Sequence, residues 1–225
     1  MILRVVNGLC GALYGLRGVL CIRLLEYMKI VNLEELRKKI DELRGYDAKL
    51  AYAAGWDDAI SIDVILDGFG VFTATAQKIT EDHVVFMFDD CIASMPMNIT
   101  GTNEGGYQKS GLCYWINTVL RNAFPEEIAQ DLTDISIPTY GQIFGHDKIY
   151  HEYFETDGDE QFELMKKRKN RIADYEDKPE LIWLQNATKN EFSPTLFALV
   201  SLSGAVNYLN AASSIGVRPV FTLSV

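Results

Sequence analysis

Two histidines in the polar part of the chain are the residues that could most directly do chemistry. His146 and His151 are separated by four residues, and Asp147, Glu152 and Glu155 stand near them. On a helix this spacing could bind a metal ion, which could in turn activate water for hydrolysis. The His-Glu-x-x-His spacing of zinc hydrolases is absent. A metal-dependent hydrolase is therefore the alternative function that we consider, and not the preferred one.

Other patterns that are typical of catalytic or metal sites are incomplete or absent. The segment 155–160 resembles the start of a calcium-binding loop, but Glu160 stands where the sharp turn requires glycine. The sequence has no phosphate-binding loop, no Gly-x-Gly-x-x-Gly after a strand and no Gly-x-Ser-x-Gly elbow. None of its four cysteines forms a Cys-x-x-Cys pair, which argues against structural zinc. We therefore assign no catalytic residue, no metal site and no cofactor, and we favour a non-catalytic protein.

The composition is that of a folded, acidic protein. The chain has 225 residues, of which 48% are hydrophobic, and its formal net charge is −10. A core can form in a chain of this length, whereas its charge disfavours both nucleic-acid phosphates and anionic membrane surfaces. We therefore expect no nucleic-acid partner. Few cysteines without a disulfide pattern are typical of a reduced compartment, which predicts a cytoplasmic location.

The first 27 residues differ in character from the rest of the chain. Residues 1–27 are apolar with few charges. As a membrane anchor this segment would place Arg17 near its middle, and as a secretory signal it lacks a small-x-small cleavage site before that arginine. A third interpretation is that translation begins at Met28. We thus predict a leader at 1–27, either a mis-assigned start, a signal or an anchor, and one α+β domain at 28–225; export or membrane attachment depends on that leader.

After the leader, the sequence predicts one helix and then an antiparallel β-meander. A capping box that begins at Asn32 predicts a short amphipathic helix ending at Gly45. Alternating apolar residues at 62–66, β-branched and aromatic residues at 71–79 and an apolar run at 83–88 predict three strands.

The second half of the chain predicts helices first and strands at the end. Ser110 can cap a helix, and an apolar face of that helix is predicted from Leu112, Trp115, Ile116, Val119 and Leu120. A strand followed by about one helical turn is expected in 135–145, and the basic run 166–169 is interpreted as a solvated helix face. Four strands are predicted at 181–184, 196–202, 206–209 and 217–223, with a hairpin at Ser203-Gly204.

A resemblance to a known family covers about residues 84–225. The segments that carry it include Gly105-Gly106-Tyr107, Trp115-Ile116-Asn117, Ile137-Pro138-Thr139, Trp183-Leu184-Gln185-Asn186-Ala187 and Gly216-Val217-Arg218-Pro219. With them the chain resembles an uncharacterised domain family of gut Firmicutes and their prophages. Its ending resembles the C-type-lectin-like fold, in the branch that includes the formylglycine-generating enzymes.

The resemblance implies an α+β, C-type-lectin-like fold with short antiparallel strands, flanking helices and long loops. It implies structural roles for Trp115, Arg218 and Pro219, with the arginine buried and anchoring the last strand to loop carbonyls. Formylglycine-generating chemistry needs a cysteine pair in the C-terminal part of the domain, and no cysteine follows Cys113. The Glu-Pro-Asn and Trp-Asn-Asp calcium motifs of sugar-binding lectins are missing as well, so neither activity is expected.

The preferred function is a non-catalytic binding or structural module of prophage type, with a protein or a glycan as its partner. Aromatic side chains together with amides suit polar ligands and partner surfaces. The candidate binding residues, expected on the surface, are Tyr107, Trp183, Gln185, Asn186, Asn207, Tyr208 and Asn210. Membership of a hairpin surface or of the core is the alternative for most of them.

Overall fold

A computed structural model of the chain describes residues 61–80 and 82–224. The predicted leader at 1–27 and the predicted helix at 32–45 lie outside these residues. Within them the fold is α+β, with most of its regular structure in two five-stranded sheets and a small hairpin. No helix of the described ranges is long and apolar enough to cross a membrane.

The first sheet begins with the predicted meander and ends with strands from much later in the chain. β1 (Ser61–Leu66), β2 (Gly70–Ile79) and β3 (His83–Phe88) pair antiparallel in sequence order. The remaining two strands are β5 (Leu132–Ser136) and β12 (Val220–Ser224), and β12 lies between β3 and β5. The C-terminal strand is thus an interior strand of this sheet, held by antiparallel ladders on both edges.

The second sheet has the order β10-β9-β8-β11-β4. Its strands are β4 (Ala93–Pro96), β8 (Ile182–Ala187), β9 (Leu196–Val200), β10 (Val206–Asn210) and β11 (Ser214–Val217). The pairing of β11 with β8 is parallel and the other pairings are antiparallel. The hairpin predicted at Ser203-Gly204 joins β9 to β10, and Gly204 has a φ of 72° that favours glycine.

The prediction of one strand over 217–223 is wrong. The chain leaves the second sheet after Val217 and enters the first at Val220, so Arg218-Pro219 connects the two sheets. The apolar pattern continues through this point because both strands are buried. Proline lacks the amide hydrogen that a sheet ladder requires, which is consistent with a break at Pro219.

The helix after Ser110 forms as predicted, except that one residue of the predicted apolar face is exposed. The Ser110 hydroxyl accepts a hydrogen bond from the Cys113 amide. The helix, α1, comprises an α-helical start at Gly111–Trp115, a π-helical part at Ile116–Leu120 and a last turn at Arg121–Ala123. Val119 is 47% exposed and lies outside the predicted apolar face, because the wider π-turn changes the periodicity of the helix.

Aromatic rings join α1 to the first sheet. Phe124, which follows α1, lies 5.2 Å from Phe221 and 6.2 Å from Phe88 between ring centroids. The Phe86 ring stacks on Phe221 at 5.4 Å. These rings are in the hydrophobic core and hold the helix against the sheet, together with a hydrogen bond that Nη2 of Arg121 donates to the Leu132 carbonyl at 2.8 Å. A second short helix, α2 (Glu126–Ala129), precedes β5.

The segment between β5 and β8 contains only short elements. They are α3 (Tyr140–Phe144), α4 (Lys148–Tyr153), two 3₁₀ turns at Glu163–Lys166 and Arg168–Arg171, and the hairpin of β6 (Ala173–Tyr175) with β7 (Lys178–Glu180). The basic residues 166–169 are exposed, but the expected solvated helix is wrong, because they lie on two separate 3₁₀ turns. This irregular segment supplies part of the site described next.

Candidate functional site

A cleft of about 370 Å³ opens beside the second sheet. Its walls are residues 103–108, which precede α1, residues 155–157, which follow α4, and residues 185–188 of β8 and the loop after it, together with Thr139 and Asn190. Three predicted binding residues, Tyr107, Gln185 and Asn186, belong to this lining. They are brought together from positions up to 79 residues apart only by the fold.

The first wall depends on two glycines. Gly105 and Gly106 have φ values of 79° and 64°, a backbone conformation that side chains other than glycine rarely adopt. A Cβ atom on Gly105 would lie 2.9 Å from Cβ of Lys109, whereas one on Gly106 would meet no atom within 4 Å. The pair therefore turns the chain from Asn103 into the 3₁₀ turn Tyr107–Lys109.

Asn186 connects three segments at the cleft. Its side chain is 5% exposed; Oδ1 accepts a hydrogen bond from the Tyr140 amide at 2.6 Å. Nδ2 donates to the Glu155 carbonyl at 2.7 Å and to the Asp157 carboxylate at 2.8 Å. Because the amide group is engaged on both its oxygen and its nitrogen, the principal role of Asn186 is to position the second wall.

Asp157 is fixed by further contacts within that wall. Its Oδ2 also accepts from the Gly141 amide at 3.0 Å, and its Oδ1 accepts from the Asp159 amide at 2.8 Å. The Tyr150 hydroxyl accepts hydrogen bonds from the amides of Asp157 and Gly158. The wall is thus rigidly held by partners on α3, α4 and β8, which is the kind of preorganisation that a binding site needs.

Tyr107 and Gln185 line the cleft in different ways. Gln185 is half-buried and its Nε2 donates to the Ile137 carbonyl at 2.6 Å, so that the amide group is partly engaged. Tyr107 is 4% exposed, and its buried hydroxyl lies against the Cys113 thiol and the Ile137 carbonyl. Burial beside the Cys113 thiol raises the pKa of Tyr107 above its ordinary value, so the phenol stays neutral.

The charges on the lining are all negative. Glu104, Glu155 and Asp157 contribute carboxylates, and no lysine, arginine or histidine belongs to the lining. Of the two lysines that adjoin the lining in sequence, Lys189 donates its ammonium to the His151 carbonyl at 2.7 Å, and Lys109 packs its stem against Gly105. The cleft therefore offers hydrogen-bond acceptors and negative potential.

A protein-family model matches residues 81–225. The chain belongs to the family described as "Domain of unknown function (DUF6273)". The matched range of the DUF6273 domain is close to the range 84–225 of the resemblance, and it contains the whole cleft. β1 and β2 precede it, although both pair into the first sheet. No curated protein and no solved structure matches the chain.

The remaining predicted binding residues of the DUF6273 domain lie away from the cleft. The expected surface position is wrong for Tyr107 and Asn186, which are buried in the cleft lining. It is also wrong for Trp183, which is 0% exposed and whose indole donates to the Met95 carbonyl at 3.0 Å. The reason is that β8 is the central strand of the second sheet and is covered on both faces. Asn207, Tyr208 and Asn210 lie on the edge strand β10.

The edge strand β10 forms a separate surface, on which asparagine side chains accept hydrogen bonds from neighbouring backbone amides. Oδ1 of Asn207 accepts from the Tyr208 amide at 2.8 Å, and Oδ1 of Asn210 accepts from the Ala212 amide at 3.0 Å. The ring of Tyr208 contacts Phe192 at 5.2 Å. Side chains that bond to the edge amides compete with the addition of another strand.

Arg218 has the buried position that the resemblance implies. It is 2% exposed; its Nε donates to the Phe88 carbonyl at 2.7 Å, and its Nη1 donates to the Asn170 carbonyl at 3.1 Å. Burial lowers its pKa. Its guanidinium joins the end of β3 to the second 3₁₀ turn, while Trp115 of α1 is half-buried with its ring 5.8 Å from Phe69.

His146 and His151 are close together on the surface. Their ring centroids are 6.1 Å apart, and the His146 ring stacks on Tyr150 at 5.0 Å. Asp147, the N-cap of α4, accepts hydrogen bonds from the Tyr150 amide and the Tyr140 hydroxyl at 2.9 and 3.0 Å. Over residues 61–80 and 82–224, no group of three or more His, Cys, Asp or Glu side chains is arranged to hold a metal ion. The geometry thus gives the hydrolase alternative two imidazoles and no third ligand there.

The sequence did not identify the acidic walls of the cleft as a site. In the sequence, Glu155 stands out only beside the two histidines and, with Asp157, in the incomplete calcium-binding loop, and Glu104 does not stand out. The signal that could have found them is Gly141, whose close approach to residues 157 and 159 leaves no room for a Cβ atom.

Proposed function

We propose that the DUF6273 domain of this chain is a non-catalytic module that binds a polar ligand in the acidic cleft. The observation that carries this proposal is the meeting of Tyr107, Gln185 and Asn186, three residues selected from sequence for their chemistry, in one concave lining. Ligand sites are typically clefts of a few hundred Å³ with a small number of fixed polar groups. The partner is a protein or a glycan, and nucleic acid is disfavoured by the net charge of −10.

Some lining residues hold the walls in place and others are exposed to solvent, and this arrangement supports a binding role. Asn186 and Asp157 use their polar atoms to hold the walls, whereas Glu104, Gln108 and Asn190 are exposed lining residues that a ligand can reach. A rigid base with adaptable polar groups at its rim lowers the entropy that binding would otherwise cost.

The finer description of the fold belongs to the same proposal. We propose a C-type-lectin-like arrangement in a prophage-derived bacterial family. Its support is the C-terminal strand β12 between β3 and β5, and the long irregular segment that joins β5 to β8. An experimental structure that superposes on lectin-like domains with the same strand order would agree with it, and a different strand order would not. A cytoplasmic location is also proposed, and the free, buried thiols of Cys91 and Cys113 agree with it.

The binding proposal is tested by a ligand screen with a blocked cleft. Glycan and peptide libraries at millimolar concentration are screened by saturation-transfer NMR against the native chain and against Thr156→Trp, whose indole would fill the cleft. Thr133→Trp is the matched control, because Thr133 is an exposed threonine on β5 outside the lining. We expect hits that Thr156→Trp loses and Thr133→Trp retains. An empty screen, or hits that survive Thr156→Trp, would show that this cleft is not the binding site.

A further inference from the structure

The two consecutive 3₁₀ turns place different charges side by side. Side chains three residues apart are eclipsed in a 3₁₀ helix, so the first and last residues of each turn lie on one side of it. In the first turn, Glu163–Lys166, these two residues form an ion pair. In the second turn, Arg168–Arg171, they are two cations. The second turn thus holds together two guanidinium groups that repel each other.

Uncharged partners fix both arginines. Nε of Arg168 donates to the Ser203 carbonyl at 2.7 Å, and its Nη2 donates to the Ser203 hydroxyl at 3.0 Å. Nε of Arg171 donates to the Met165 carbonyl at 2.7 Å, and its guanidinium lies 4.9 Å from the centre of the Phe144 ring. Within residues 61–80 and 82–224 neither arginine forms an ion pair with a carboxylate. Because Arg168 is exposed and Arg171 is half-buried, their remaining N–H groups are available to a ligand.

The mutual repulsion of the two charges affects the pKa of Arg171. This pKa is lowered, first by burial and next by the charge of Arg168, whereas Tyr140 and Asp147 act in the opposite direction. The Asp147 carboxylate forms no ion pair with Arg171, and it already accepts hydrogen bonds from the Tyr150 amide and the Tyr140 hydroxyl. An anion that contacts both guanidinium groups relieves their repulsion.

The hairpin between β9 and β10 fixes the second turn and adds hydroxyl groups to it. A Cβ atom on Gly204 would lie 2.6 Å from the Arg168 carbonyl oxygen, so the hairpin and the turn are in close contact. The hydroxyl of Ser203, which Arg168 contacts, lies 3.2 Å from the hydroxyl of Ser201. Nδ2 of the buried Asn170 donates to a carbonyl of the first turn at 2.9 Å. The arginines and hydroxyls are therefore held in place before any ligand arrives, which lowers the entropic cost of binding.

We propose that Arg168 and Arg171, with the hydroxyls of Ser201 and Ser203, form a second site, which binds a phosphate monoester. Guanidinium forks match the geometry of phosphate oxygens, and a dianion compensates two positive charges. Serine hydroxyls donate to the oxygens that the arginines leave free. A long polyanion such as nucleic acid is disfavoured, because the chain as a whole has a net charge of −10. None of these four residues lines the acidic cleft, so the second site does not depend on the function proposed for that cleft.

A phosphate monoester has two possible sources. One is a phosphorylated side chain of a partner polypeptide, and the other is a free phosphorylated small molecule. Both present the same dianionic group on a single ester oxygen. A polypeptide differs by adding a flanking backbone, which the exposed surface around the second turn can accommodate.

The test titrates three probes that share one ring into the full chain. Phenyl phosphate, phenyl sulfate and phenol are used at a pH of about 7.5, where the phosphate is mostly a dianion and the sulfate is a monoanion. Binding is followed by NMR of backbone amides in residues 165–171 and 201–204. We expect phenyl phosphate to bind most tightly, phenyl sulfate more weakly and phenol not at all, because charge-assisted hydrogen bonds strengthen with the charge of the acceptor.

Variants of single cations show which side chains bind the phosphate. Arg168→Gln and Arg171→Gln should each weaken the binding of phenyl phosphate by about two- to fivefold. Arg168 is exposed, so its variant keeps the test valid if Arg171→Gln does not fold. Lys166→Gln is the matched control, because Lys166 is an exposed cation of the first turn that is already paired with Glu163. This control should weaken binding by less than about twofold.

The possible results distinguish a phosphate site from diffuse positive charge. Equal affinity for phenyl phosphate and phenyl sulfate, equal weakening in Lys166→Gln, or no shifted amides in residues 165–171 would overturn the proposal and leave the function of the cleft untouched. N-acetyl-O-phosphoserine methylamide and glucose 6-phosphate then separate the two sources. Tighter binding of the first supports a phosphorylated polypeptide, and tighter binding of the second supports a small molecule, both within the proposal.

Discussion

Replacing Gly141 with alanine should disconnect the second wall of the cleft from α3. A Cβ atom at this position would lie 2.5 Å from the Asp159 carbonyl oxygen and closer still to Oδ1 of Asp157. Real Cβ atoms do not approach backbone oxygen so closely, so the loop 157–159 must move away. That movement breaks the hydrogen bond from the Gly141 amide to Asp157 and strains the one from Asn186.

The size of the effect follows from these contacts. Each hydrogen bond to a charged carboxylate contributes about 1.5–3 kcal/mol, and alanine recovers at most about 1 kcal/mol of helix propensity over glycine. We therefore expect Gly141→Ala to lower the free energy of unfolding by about 2–4 kcal/mol. Urea denaturation followed by tryptophan fluorescence and by far-ultraviolet circular dichroism measures this change.

Gly111→Ala is the matched control. Gly111 is also a helical glycine, at the first turn of α1, but its added Cβ atom would approach no other atom closer than 3.9 Å. This variant should be neutral or more stable by up to about 1 kcal/mol. If Gly141→Ala is as stable as the native chain, or if both variants lose the same free energy, the close packing of α3 against the acidic wall is wrong.

Three further predictions concern other parts of the fold. Arg218→Met should lower the free energy of unfolding by about 3 kcal/mol in urea denaturation, since it removes the buried donors to the carbonyls of Phe88 and Asn170. The control Arg168→Met loses only exposed contacts to Ser203 and should lower it by less than about 1 kcal/mol. Equal losses in the two variants would contradict the anchoring role of Arg218. Asp177→Gly should raise the melting temperature, with a gain of about 0.5–1 kcal/mol, because Asp177 has a φ of 61° in the two-residue turn between β6 and β7; a lower melting temperature would refute this. Burial raises the pKa of Cys91 to about 12, so its thiol is neutral at pH 9 in the folded chain and ionises near pH 9 in the unfolded chain. Alkylation of Cys91 at pH 9, measured by peptide mass mapping, should therefore be slow in buffer and fast in urea. The free energy of unfolding should fall as the pH rises from about 9 to 12, because only the unfolded chain releases the thiol proton in that range.

Local patterns predicted the elements that depend on neighbouring residues. The meander of β1 to β3 follows from the alternation at 62–66, the β-branched and aromatic residues at 71–79 and the apolar run at 83–88, and the start of α1 follows from the Ser110 cap. The β9–β10 hairpin follows from Ser203-Gly204. In each case the hydrogen bonds that decide the structure join residues close in sequence, so the signal is present in a short window.

The incorrect predictions share a dependence on distant partners. Trp183 was expected on the surface because an aromatic residue beside amides suits ligands, but its strand lies between β9 and β11, which come later in the chain. The break at Arg218-Pro219 depends on two sheets assembled from opposite ends of the domain. Val119 is exposed because it lies in a π-helical turn, which no local residue pattern predicts.

The candidate site was only partly visible in the sequence for the same reason. Tyr107, Gln185 and Asn186 could be chosen by side-chain chemistry, but their grouping needed the fold, and Asn207, Tyr208 and Asn210 proved to lie on another surface. The acidic charge of the cleft arises from Glu104 and residues 155–157, which are separated by about fifty positions. A cluster of negative charges that comes from two distant loops becomes apparent only when the fold brings those loops together.

The most direct test of the binding site is a map of amide chemical shifts with a hit from the ligand screen. The proposed site predicts that the shifted amides cluster in residues 103–108, 155–157 and 185–190 and are absent from β10. Shifts confined to residues 206–210, or spread evenly over the surface, would contradict the acidic cleft as the binding site of this domain.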